Sequence, residues 1–340
     1  MKEPFARTQR KIAVIGGGTG SFTLLSALKN HTSQLAALVN MADDGGSTGV
    51  LRDELGALPP GDVRQCLVAL SSSPKVRDLF NYRFEEGSLK GHAFGNLFLT
   101  ALEKMTGDFR EGIELASEVL GVHGVVEPVT LTNVSLVMTN GGQEVHGEFE
   151  IANQDFHGLK PEFRLEPAAE PNPQAIRAIE TADLVVIAPG NLYGSLAPAL
   201  IVPGIGDALR RTNALCMYVC NLMTKPGQTA GYEVSDFAAE VERLAGGEFL
   251  DVVLFNTEKP SDELIDRYAQ AGEKSVGYDV QTLHDAHYVA AGTNLLAGSI
   301  WRSGTAADPI AASRTLIRHD SAVVANAIIE LYDQVSHARR

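Results

Sequence analysis

Apolar residues fall into short runs, and most of the early runs end in glycine or small polar residues. Residues 11–15 read as a buried strand that ends in Gly16-Gly17-Gly18-Thr19-Gly20, and residues 21–28 follow with helical spacing. A second apolar run covers 35–39. Strand, glycine loop, helix and strand in this order open a doubly wound α/β fold. Helical spacing returns at 62–70, 96–105 and 108–120. The period then changes to two: Val134, Leu136 and Met138 alternate, Asn140-Gly141-Gly142 supplies a turn, and Val145, Gly147, Phe149 and Ile151 alternate again. That pattern predicts an antiparallel hairpin, and with 125–130 and 163–165 it predicts a β insertion at about 125–166. The parallel pattern resumes with Pro173 at a first helical position and strands at 184–187, 215–219 and 250–255. Helices are expected between them at 205–211, 236–244 and 262–270, and a last one at 323–335 is capped by Asp320 or Ser321. The expected fold is one Rossmann-like α/β domain over 1–340, a doubly wound, mostly parallel sheet with an inserted antiparallel β-hairpin element.

Composition narrows the classes. With 44% apolar and 21% charged residues the chain is globular and not disordered. The balance of 28 basic and 42 acidic side chains, net −14, repels phosphate backbones and argues against a nucleic-acid partner. Cys66, Cys216 and Cys220 are odd in number and lack CxxC spacing, which predicts reduced thiols rather than a disulfide framework or a zinc site. No apolar run approaches the roughly 18 residues of a membrane span, and the polar first eleven residues are no signal peptide. The expected location is cytoplasmic.

Ligands of open parallel sheets bind beyond the carboxyl ends of the strands. Four expected strands end in polar or glycine-rich loops, at 16–20, 40–49, 189–195 and 221–224, which predicts one crevice. The loop Gly16–Gly20 is a candidate phosphate cradle, because glycine lets backbone N–H groups approach an anion at a helix start. It is neither a Walker A loop nor a full GxGxxG, since Ser21 holds the last glycine position and Asn40 stands where an acid would hold a ribose. Adjacent Asp43 and Asp44 repel one another unless a hard cation offsets the charge, so they are candidate Mg²⁺ ligands. Gly45, Gly46 and Ser47 add a backbone nest for phosphate. Asp62 and Arg64 put an acid and a base at a helix start, where Asp62 also reads as a plain N-cap. His92 is a general acid or a structural histidine, and Asn96 a ligand contact or a cap. Asn191, Tyr193 and Ser195 lie at another strand-to-helix turn, and no Ser-His-Asp set is suggested.

Taken in order, six strings resemble one family closely: Ile15-Gly-Gly-Gly-Thr-Gly20, Ala42-Asp-Asp-Gly-Gly-Ser47, Leu58-Pro-Pro-Gly-Asp-Val-Arg64, Gly91-His-Ala-Phe-Gly-Asn96, Ala188-Pro-Gly-Asn-Leu-Tyr193 and Val219-Cys-Asn-Leu-Met-Thr224. The chain resembles the gluconeogenesis factors, the YvcK-type branch of the CofD-like proteins, over about residues 11–334. The resemblance implies a Rossmann-like fold, a cytoplasmic bacterial protein, a role in growth and cell shape on gluconeogenic carbon sources, and binding of UDP-sugars, notably UDP-N-acetylglucosamine. The sister branch is the 2-phospho-L-lactate transferase, which moves a phospholactyl group from a nucleotide diphosphate carrier with magnesium. By resemblance, Asp43 and Asp44 fall on its acidic metal and acceptor site. The chain departs from that branch near Gly61-Asp62-Val63-Arg64, where the transferase typically reads Asp-Leu-Asp-Thr, and in its Gly-Gly-Ser run. Within the YvcK-type pattern, Asn191 replaces the usual serine and Gly194 the usual threonine. In the last third, Tyr268 and Arg318 are the candidates for contacts to a nucleotide base or sugar diphosphate.

The expected ligand set is therefore Gly16, Gly17, Gly18, Thr19, Gly20, Asp44, Gly45, Gly46, Ser47, Arg64, Asn96, Asn191, Leu192, Tyr193, Ser195, Asn221, Tyr268 and Arg318. The leading expectation is a UDP-sugar-binding regulator without turnover that signals to a protein partner in cell-wall regulation. The alternative is a Mg²⁺-dependent phospholactyl or phosphoryl transferase using Asp43, Asp44 and Asp62, and a NAD-binding protein comes third. The reading admits a homo-oligomer.

Overall fold

The computed structural model describes residues 8–298 and 317–338. Seven parallel strands form the main sheet: β1 (Thr8–Gly16), β2 (Thr32–Val39), β3 (Val125–Pro128), β7 (Leu184–Ile187), β8 (Leu215–Val219), β9 (Val252–Asn256) and β10 (Val289–Thr293). Their order is β10-β9-β8-β7-β1-β2-β3. The smaller antiparallel sheet has the order β5-β4-β6, built from β4 (Ser135–Asn140), β5 (Gln143–His146) and β6 (Glu162–Glu166).

The central strands are apolar on both sides because both sheet faces are covered, as parallel sheets require. Successive side chains of a strand point to opposite faces. Ile12 and Val14 of β1 enter one core with Leu24, Leu67, Leu99 and Ile328 from helices Gly18–Leu28, Pro60–Leu70, Phe94–Thr106 and Ser321–Ala338. Ala13 and Ile15 enter the other core with Ile179, Ile205 and Val241 from helices Pro173–Glu180, Ile205–Arg211 and Val234–Ala245. Leu136 and Met138 of the small sheet belong to this second core. The three cysteines are buried and form no disulfide. Among the described residues no single helix is long and apolar enough to cross a membrane.

From β1 the chain builds outward through β2 to β3, and from β7 outward in the other direction to β10. The winding therefore reverses between β1 and β7, and the loops after these two strands diverge. Such a switch point leaves a crevice at the carboxyl edge of the sheet.

Several elements differ from the expected ones. Residues 125–128 are not part of the insertion: they pair in parallel with β2, Ala36 facing Val125, as the edge of the main sheet. The expected alternation through 147–151 stops at β5, because Gly147 has φ +92° and starts a short helix, Glu148–Ala152. The helix expected from 62 begins at Pro60, whose missing N–H costs nothing at a first turn. Gly46–Leu55 and Pro74–Asn81 are helices that the glycine-rich and polar composition hid. β10 has no apolar run to mark it, because it is a half-exposed outer strand with Ala290, Ala291 and Gly292 at its centre.

Candidate functional site

The loop after β1 is shaped by what a side chain would hit. A Cβ on Gly17 would stand 2.1 Å from Asp62 Oδ2, and one on Gly20 1.6 Å from the Pro189 carbonyl oxygen. Gly18 has φ +63°, a conformation in which only glycine is unstrained, and its N–H donates to Asp62 Oδ1 at 2.9 Å. A carboxyl oxygen thus already occupies a loop amide at the start of helix Gly18–Leu28. Thr19 is exposed in the first turn of that helix. Asn40, 1% exposed, lies beside Gly17; its Oδ1 accepts from the Ala42 N–H at 2.9 Å, and its buried Nδ2 has no partner.

Asp43 and Asp44 follow β2 and turn to different neighbours. Asp43 Oδ1 accepts from the Gly45 N–H at 3.0 Å, and its Oδ2 lies 2.5 Å from the place of a Gly61 Cβ. Burial raises the Asp43 carboxyl above the usual range; the Gly45 and Thr48 hydrogen bonds oppose this, and the Asp44 charge adds to it. Asp44 Oδ1 accepts from the Phe149 N–H at 2.8 Å. Arg52 donates to the Asp43 carbonyl oxygen at 2.9 Å and so holds the turn.

Ser47, Arg64 and Asn96 form one buried network. Ser47 Oγ is 3.0 Å from His92 Nδ1 and accepts from Asn96 Nδ2 at 3.2 Å. Arg64 Nε donates to Asn96 Oδ1 at 2.8 Å, and its Nη1 to Asn81 Oδ1 at 2.6 Å. His92, read from the sequence as an isolated residue, is therefore Ser47's partner.

After β7, Asn191 caps the turn Leu192–Leu196 by accepting from the N–H groups of Tyr193 and Gly194 at 3.3 and 3.2 Å. Leu192 and Tyr193 bury their side chains in the core; the Tyr193 ring stacks on Phe163, and its hydroxyl lies 3.1 Å from that of Tyr232. They offer the crevice backbone only. Ser195 is half-buried, its N–H donating to the Asn191 carbonyl oxygen. Asn221, after β8, clamps Gly190 from both sides: it accepts from the Gly190 N–H at 3.3 Å and donates to its carbonyl oxygen at 2.6 Å. All four expected loops are thus joined by three contacts, Gly17 to Asn40 after β2, Gly20 to Pro189, and Gly190 to Asn221. Tyr268 is buried in helix Asp262–Gln270, where its hydroxyl accepts from the Ile317 N–H at 3.3 Å, and the Arg318 carbonyl oxygen accepts from Ala297. These contacts hold residues 317–318 to neighbouring elements and do not join the glycine loop.

One acid of the site is not legible in the sequence. Glu148 heads the short helix of the insertion, and a Cβ on Gly194 would stand 2.6 Å from its Oε1. Burial, then the charges of Asp43, Asp62 and Asp44, push its carboxyl up to about 9; Lys225 opposes them. Its only sequence signal was an interruption: a glycine followed by an acid inside an alternating run. Among the described residues, no three His, Cys, Asp or Glu side chains are placed to hold a metal ion by themselves.

Residues 12–296 match the family described as 2-phospho-L-lactate transferase CofD. The gluconeogenesis factor of Bacillus subtilis is 38% identical over 326 residues, covering 94% of this chain and 98% of that protein. The chain belongs to the gluconeogenesis factors of the CofD-like family. The gluconeogenesis factor of Halalkalibacterium halodurans is 40% identical over 280 residues, 81% of this chain and 86% of the relative. A crystal structure of a UPF0052 family member from Bacillus halodurans superposes with a TM-score of 0.85 at 36% identity, covering 95% of this chain and all of that one. The switch-point crevice is thus built on a gluconeogenesis-factor fold, and the family resemblance carried by the six sequence strings holds.

Proposed function

We propose that this protein is a cytoplasmic regulator that binds a nucleotide sugar of the UDP-N-acetylglucosamine type and acts in growth and cell shape under gluconeogenic conditions. The observation that carries the reading is the Gly18 N–H of the loop after β1, at the switch point, which already takes a carboxyl oxygen from Asp62. A diphosphate oxygen satisfies the same amide when Asp62 gives way. The gluconeogenesis-factor relatives support the regulatory role, and a protein partner in cell-wall regulation would read the bound state.

The site residues interlock through ground-state hydrogen bonds, which suit tight binding; turnover needs groups that favour a transition state. Titration calorimetry with UDP-N-acetylglucosamine, GDP and NAD, with and without Mg²⁺, tests the reading. We expect saturable binding of the UDP-sugar, which chromatography then recovers unchanged. Preference for NAD sinks it.

The second reading is a Mg²⁺-dependent transferase, favoured by the family match over 12–296 and by the acids Asp43, Asp44 and Asp62. Mg²⁺ takes one or two carboxylates and completes its shell with substrate phosphate and water, and these oxygens suit it in kind. Multiple-turnover release of a nucleotide, lost in Asp44→Asn, would establish this reading over the first.

A further inference from the structure

The insertion delivers a side chain to the crevice that none of the sequence strings contains. Helix Glu148–Ala152 is tied down on two sides. The Phe149 N–H donates to Asp44 Oδ1 at 2.8 Å, and Gln228 Nε2 donates to the Ile151 carbonyl oxygen at 2.9 Å. Two glycines make room for the fit: a Cβ on Gly147 would lie 2.4 Å from Asp44 Oδ2, and one on Gly194 2.6 Å from Glu148 Oε1. Glu148 is thereby held between the turn after β7 and the acids Asp43 and Asp62. Its carboxyl has no hydrogen-bond partner among the described residues, and Lys225, the cation that faces it, already donates to the Ala152 carbonyl oxygen. An independent sign of an unfilled polar site lies at Gly17, where Asn40 Nδ2 is buried and unpartnered. A buried amide donor without a partner is costly unless a ligand or water completes it.

The chemistry of this end of the crevice selects its occupant. Once Asp62 has given way to the diphosphate at Gly18, the acids left around Glu148 repel further phosphate, whereas sugar hydroxyls donate to carboxylates and accept from an amide or a protonated acid. We propose that Glu148 is a specificity-determining residue that contacts the hydroxyl-bearing glycosyl group of the ligand. The inference rests on the nucleotide-sugar reading above and adds to it which end of the ligand the insertion recognises.

Calorimetry on the full-length protein compares UDP-N-acetylglucosamine with UDP, which lacks the glycosyl group. Glu148→Ala weakens UDP-N-acetylglucosamine binding by about tenfold or more, the worth of one or two buried hydrogen bonds, and leaves UDP binding within about twofold. Glu148→Gln, which keeps a donor and an acceptor in place, recovers most of the loss; Glu148→Asp, one methylene short, repeats the alanine pattern should the alanine variant not fold. An equal loss for both compounds means a structural role and overturns the proposal, as does no loss for either. Failure of the wild-type protein to bind the UDP-sugar at all overturns the functional reading and this inference with it.

Discussion

At the residue scale, glycines keep the strand-end loops close. Gly20 lies against the Pro189 backbone, and an added Cβ would stand 1.6 Å from its carbonyl oxygen. Gly20→Ala therefore forces helix Gly18–Leu28 away from the turn after β7 and costs about 1–3 kcal/mol, read as a lower urea midpoint. An unchanged midpoint would show that the two loops do not pack in solution. Glu148 makes a pH-dependent prediction. Its folded-state carboxyl sits at about 9 against an ordinary value of 4.5, so between these values the unfolded chain gives up a proton that the folded chain keeps. Stability at this residue is undiminished below the lower value and falls as pH rises through the window. Glu148→Gln removes that fall. In magnesium-free buffer the variant melts above wild type at pH 8, by about 2 °C or more, and the gap closes towards pH 5. A gap of the same size at both pH values sinks the argument.

At the scale of elements, the insertion shares the second core with the main fold and is tied to it by hydrogen bonds as well. Gln228 Nε2 donates to the carbonyl oxygens of Ile151, Ala152 and Gln154 from the loop after β8. Gln228→Ala strips these acceptors of a shared donor while leaving the parallel sheet intact. We expect faster amide hydrogen exchange across 148–156, with β1 and β7 unaffected, and a stability loss of about 1–2 kcal/mol. Exchange that rises equally across the main sheet would mean that loosening the insertion opens the shared second core as one unit. The π-helical turn Leu192–Leu196 is a second local device: it places Asn191 at the crevice while sending Leu192 and Tyr193 inward.

At the scale of the whole molecule, a net charge of −14 surrounds a crevice that itself carries Asp43, Asp44 and Asp62. An anionic nucleotide sugar approaches against this field. Salt shortens the reach of the repulsion, the Debye length being about 30 Å at 0.01 M and about 8 Å at 0.15 M. Affinity for UDP-N-acetylglucosamine should therefore rise by about twofold or more across that range of NaCl. Affinity that falls with salt would show that local cations such as Arg64 govern the approach.

The sequence by itself determined the parallel core, the glycine loop and the family. Runs such as 12–15 and 184–187 are buried on both faces, and this burial is written locally as unbroken apolar residues. The same local rule misplaced 125–128, since four apolar-rich residues carry no record of which strand they will join. It carried the alternation past Gly147 because a positive φ leaves no trace beyond the glycine itself. Only the tertiary structure decided that β7 lies beside β1, which creates the switch point, that Ser47 meets His92, and that Glu148 comes to rest among Asp43, Asp44 and Asp62. Hydrophobic spacing reports the environment of each residue one at a time. Carboxyl groups from separate loops meet only because the burial of both sheet faces closes those loops over one edge.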